Sequence, residues 1–145
     1  MQENIKLTVT VNSVIDNLTD AGLPDGDPEI NIFTTAGAMV VADEGMILSF
    51  TETSEGGEAT STLAITDGGV HLVKTGAIES DMLFTEGACT KTLYHVGPYA
   101  FDMSINTKRI RNSLTSEGGE LQLIYSMNVG GQEKNVRLKI SAKRK

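Results

Sequence analysis

The side chains able to do chemistry in this sequence are few and widely spaced, and their arrangement excludes most reactions. His71 lies between Val70 and Leu72 in an apolar run, and His95 follows Tyr94. Neither falls at a metal-ligand spacing, and two His with one Cys make a poor zinc set. Cys89 is the sole cysteine, so no intrachain disulfide forms. With no neighbour to activate it as a nucleophile, it reads as a small buried or half-buried hydrophobe. Most carboxylates stand in turns, at Asp43, Glu44, Glu55, Glu58, Asp67, Glu117 and Glu120, where water surrounds them. Asp102 is mid-strand between Phe101 and Met103, and alternation sends it to the wet face. The four Asp between residues 16 and 28 miss the EF-hand spacing. No Gly-x-Ser-x-Gly elbow or phosphate-cradling Gly-x-x-x-x-Gly-Lys loop is present. The remaining candidates are phenols, soft thioethers and three arginines: Tyr94, Tyr99, Phe101, Met103, Tyr125 and Met127, with Arg109, Arg111 and Arg137. Such groups bind rather than react.

What must position them is a set of short strands. From Tyr99 to Asn106 the chain alternates Tyr99, Phe101, Met103 and Ile105 with Ala100, Asp102, Ser104 and Asn106. A period of two marks a strand with one buried face. The same alternation recurs at Ile5–Val11, at Met46–Phe50, at Ala59, Ser61, Leu63 and Ile65, at Leu121–Met127 and at Val136–Ile140. Glu29–Thr35, with Ile30, Ile32 and Thr34 on one side, reads as a strand that Gly37 interrupts before Ala38–Ala42. Thr107–Leu114 fits either period; it is taken as strand with its parity slipped at a bulge near Thr107. Gly-containing turns join these segments, including the related Ser54–Glu58 and Ser116–Glu120.

Eight to eleven short strands without a helical stripe predict an all-β domain spanning residues 1–145. The tight connections favour a single antiparallel up-and-down β-barrel, whose closure removes exposed edges. An eight-stranded barrel leaves room inside for side chains or one small ligand.

The charge of −7 is split: residues 1–102 carry 16 acids against 3 bases, residues 103–145 carry 9 bases against 3 acids. The acidic total argues against nonspecific nucleic-acid or anionic-membrane partners. The amino-terminal residues lack a signal-peptide layout, and no apolar run approaches the roughly 20 residues of a membrane span. A cytoplasmic setting is expected, with a homodimer left open.

From Ile78 to Tyr125 the chain resembles the YwiB-like family, bacterial proteins of unknown function with a calycin-like (lipocalin-like) β-barrel. The features carrying the resemblance are Thr75-Gly76 before Met82-x-Phe84-x-x-Gly87, then Tyr94 before Pro98-Tyr99. Met103-x-Ile105-x-Thr107 and Leu121-x-Leu123-x-Tyr125 follow. The family turn Thr-Pro-Tyr-Gly is Val96-Gly97-Pro98-Tyr99-Ala100 here, and a family Arg late in the mid-chain strand is Lys74. The Gly-x-Trp opening of true lipocalins is missing, since the chain has no Trp. The resemblance implies the calycin-like barrel and, by analogy, one small ligand inside it.

The expected function is therefore non-enzymatic binding of one small apolar or amphipathic ligand, without a cofactor. Tyr94, Tyr99, Phe101, Met103, Arg109 and Tyr125 are the candidate ligand-binding residues, with the arginine orienting an anionic headgroup at the barrel mouth. A packed structural or interaction module, or an enzyme with a site in the mouth, are the alternatives.

Overall fold

The alternating segments form ten antiparallel strands in a computed structural model that describes residues 4–54 and 57–145. In chain order they are β1 (Asn4–Asn17), β2 (Glu29–Ala42), β3 (Gly45–Ser54), β4 (Gly57–Thr66) and β5 (Gly69–Gly76), then β6 (Ile78–Phe84), β7 (Cys89–Val96), β8 (Tyr99–Asn112), β9 (Gly118–Val129) and β10 (Gln132–Arg144). Each pairs with its sequence neighbour, and β10 pairs with β1, so the sheet is a closed barrel. Closure is long: eleven residue pairs run from Leu7↔Arg144 to Asn17↔Lys134. The centre of the Ser54–Glu58 turn lies outside the described residues.

Which parity faces inward is fixed by register. Val11 pairs with both Ile140 and Phe33, and Ile5 with Met39, so the odd positions of β2 face in. The alternation expected to bury Ile30 and Ile32 is thereby corrected: both lie on the outer face, more than three-fifths exposed. Nor does Gly37 interrupt the strand. It pairs with Leu7 and Phe50 inside a continuous β2. A Cβ there would meet Val9 Cγ2 at 2.6 Å and the Ser49 carbonyl at 2.8 Å. Close approach of neighbouring strands, rather than a bulge, selects this glycine.

The expected slip in β8 is present. Pairing with β9 shifts between Thr107 and Arg109. Before it Met103, Ile105 and Thr107 are buried; beyond it Ile110 pairs with Leu123 and packs against the core. One extra residue thus flips the strand's faces.

The interior is filled unevenly. Leu7, Met39, Leu48, Leu63, Val70, Phe84 and Leu121 are almost wholly buried towards one end, where Leu114 from the β8–β9 connection joins them. That end holds the β2–β3, β4–β5, β6–β7 and β8–β9 connections. The other end, rimmed among the described residues by the β1–β2, β5–β6, β7–β8 and β9–β10 connections, is hollow.

One seam in the wall is thin. β6 and β7 pair only over Ile78–Ser80, after which a hydrogen bond from Thr90 Oγ1 to the Leu83 carbonyl (2.9 Å) bridges them.

Candidate functional site

Every strand contributes to the hollow end. Carboxyl-terminal halves of odd-numbered strands and amino-terminal halves of even-numbered ones line a partly open cavity of about 530 Å³. That volume lies within the ordinary range for small-molecule sites.

The walls differ in chemistry. One row crosses five strands along the ladder: Phe50 pairs with Ser61, Ser61 with Lys74, Lys74 with Ser80, and Ser80 with Tyr94. Cross-strand partners share a face, so ammonium, two serine hydroxyls and a phenol stand side by side in the cavity wall. Glu52, two residues beyond Phe50, accepts a hydrogen bond from Lys74 Nζ at 3.4 Å, each side chain keeping about a quarter of its exposure. Across the cavity the lining is largely apolar: Val11, Ile15 and Phe33 from β1 and β2, Met103 from β8, Met127 and Val129 from β9, Val136 and Leu138 from β10. Ser13, Asn31, Lys134 and Tyr125 interrupt it.

Two features of the polar wall matter. Ser80 is buried, lines the cavity and has no hydrogen-bond partner for its hydroxyl. Leaving such a group unpaired costs on the order of 1–3 kcal/mol. Lys74, among the described residues, hydrogen-bonds to Glu52 alone, which leaves its other ammonium donors unspent.

Both phenols are held neutral. Burial first, then the carboxylate of Glu52, pushes the Tyr94 hydroxyl above its usual pKa. Tyr125 is raised much further, by burial alone. Its ring packs tilted on Phe84 at a centroid distance of 4.7 Å, marking the cavity floor.

Of the expected binding residues, Tyr94, Met103 and Tyr125 line the cavity, as does Met127. The others are corrected. Phe101 pairs with Tyr94 and shares its inner face, but it stands at the rim and is 40% exposed. Tyr99, two residues nearer the turn, is 65% exposed. Neither lines the cavity, because β8 begins beyond the level that the opposite wall covers. Arg109 follows the bulge, pairs with Ile124 and points outward, away from the mouth. Arg111 and Arg137 are exposed on the same outer face.

Asp102 is exposed as expected. Cys89 was expected to be at least half-buried and is exposed instead, on the outer parity of β7 opposite Asn106. His71 pairs on the outside with Asp81. Among the described residues no group of three or more His, Cys, Asp or Glu side chains could hold a metal ion. Among the described residues no helix is long and apolar enough to cross a membrane.

Sequence reasoning missed Glu52, Ser80 and Lys134 and placed Ser61 without a role. The signal was available: Leu72 then Lys74, Met82 then Ser80, and Phe50 then Glu52 each keep the inner parity while turning polar towards the hollow end.

A family model described as "Domain of unknown function (DUF1934)" matches residues 18–140. The chain is 26% identical over 136 residues to the "Uncharacterized beta-barrel protein YwiB" of Bacillus subtilis (strain 168), covering 94% of this chain and 91% of that protein. The crystal structure of ywiB protein from Bacillus subtilis superposes with a TM-score of 0.85 at 25% identity, over 98% of this chain and 93% of that one.

Proposed function

Because the chain belongs to the family described as Domain of unknown function (DUF1934), we propose its role from the cavity: it binds one small, largely apolar molecule inside the mouth-side half of the barrel. The observation that carries this is the asymmetry of the interior. One half is packed with fully buried aliphatic side chains, while the other half keeps about 530 Å³ lined by the same inner parity. A barrel that served only folding would be expected to pack both halves alike, since protein interiors are close-packed.

Binding rather than turnover is supported by the ionisable groups present. The two phenols are shifted away from neutral pH, and Lys74 is held by Glu52. Neither phenol is poised to exchange a proton near pH 7. Met82, Met103 and Met127 supply soft, adaptable surface for an apolar body. The reading includes a cytoplasmic setting, to which a single exposed Cys89 is suited.

Native mass spectrometry of the protein purified from its own host tests this. One co-purifying compound at one-to-one stoichiometry, released on unfolding, is the expected result. Apoprotein alone, together with failure to take up any compound from a host lipid and metabolite extract, would contradict it.

A further inference from the structure

We propose that the cavity selects a monoanion, a carboxylic acid whose head is read by Lys74 and Ser80 and whose apolar body lies against the β8–β10 wall. The inference rests on the binding reading above and adds the chemical class of the ligand.

Charge is the first argument. The ionisable acids and bases lining the cavity are Glu52, Lys74 and Lys134. Glu52 and Lys74 cancel, and Lys134 has no ion-pair partner among the described residues. The lining as a whole is left with one positive charge, that of Lys134 on the facing wall, which favours a single anion in the cavity without itself holding the head. A cation would meet two ammonium groups against one carboxylate that is already engaged.

Hydrogen-bond supply is the second. The Ser80 hydroxyl is sealed from water without a partner and reaches the cavity by rotation about its own Cα–Cβ bond; it stands beside a lysine with unspent donors and a phenol that burial keeps protonated. The wall therefore offers more donors than it uses, and the group completing it is an acceptor with several lone pairs. A carboxylate matches that count with charge-assisted bonds. Phosphate suits it less well: no arginine lines the cavity to grip it bidentately, and its second charge has no counterpart.

The test is a series with one body and three heads: decanoate, decanol and decylamine, titrated calorimetrically into the intact protein. Decanoate should bind about tenfold or more tighter than decanol, with decylamine weakest. Ser80→Ala, which removes an unpaired hydroxyl and should fold normally, should weaken decanoate several-fold. Lys74→Met combined with Glu52→Gln, which removes both members of the ion pair, should weaken it by about tenfold and leave decanol within about twofold. Equal affinity for all three heads, or decylamine tightest, would overturn the carboxylate assignment while leaving the binding cavity intact. No binding of any of the three, by the wild type at millimolar ligand, would overturn both.

Discussion

Ser13→Trp should abolish ligand uptake and leave the barrel folded. Ser13 lies on the inner parity of β1, between Leu138 and Asn31, and lines the cavity. An indole there grows into open space rather than into the packed half, so overpacking should cost no more than about 1 kcal/mol, the low end for added core volume. Binding suffers far more, because the ligand's apolar body and the indole compete for one volume. A loss of about a hundredfold or more in decanoate affinity is expected, corresponding to at least about 2.7 kcal/mol. The chain contains no other Trp, so the variant carries its own reporter. Its emission should be blue-shifted, as for a ring largely out of water, and unaffected by decanoate. Red-shifted emission with unimpaired binding would mean that the space around Ser13 is not where the ligand goes.

Raising the pH above 10 should destabilise the protein steeply, with Tyr125 as the main cause. Burial raises this phenol's pKa in the folded barrel above the 10.0 of an exposed tyrosine. Below pH 10 the phenol is protonated in both states and stability does not depend on it. Above pH 10 the unfolded chain ionises first, so stability falls by about 1.4 kcal/mol per pH unit until the folded-state value is reached. By pH 12 roughly 3 kcal/mol is lost on that slope, a large share of the 5–15 kcal/mol typical of a domain. Tyr94 adds a smaller contribution of the same sign, since it is only partly buried. Urea unfolding at pH 9 and pH 12, on wild type and Tyr125→Phe, separates this from lysine and arginine titration, which the two proteins share. The wild type should lose roughly 3 kcal/mol more than the variant. Equal losses would show that the Tyr125 ring is not sealed at the cavity floor.

The barrel was legible in the sequence because strand alternation and glycine turns are local signals, and sequential hairpins leave few topologies. The bulge near Thr107 was legible too, since Ile105 and Ile110 cannot share a face in an unbroken strand. What alternation could not give was depth along the barrel axis. Tyr99 and Phe101 have the inner parity of Met103, yet they stand at the rim, because how far each strand outruns its neighbours is set by barrel stagger. Arg109 stands away from the mouth because the bulge exchanges the faces of β8: beyond the slip, odd positions point out. In β2 both parities offer apolar residues, and only pairing with Val11 decides for Phe33 over Ile32. Ser80 and Glu52 are hidden in the sequence because polar residues on an inner face mimic outer ones, and Ser61, on the inner parity with Leu63, gives no sign there of lining a cavity. The position of Ser80 and Glu52 next to Met82 and Phe50 on the same parity is the trace they leave in the sequence.

The central claim, a barrel packed at one end and receptive at the other, can be read from its methionines. Met82, Met103 and Met127 line the cavity, whereas Met39 is fully buried in the packed half and Met46 sits beside it on β3. Methyl NMR of methionine-labelled protein titrated with decanoate should move the first three resonances together, saturating at one equivalent, while those of Met39 and Met46 stay in place. Shifts spread evenly over all of these methyls, or confined to Met39 and Met46, would contradict it.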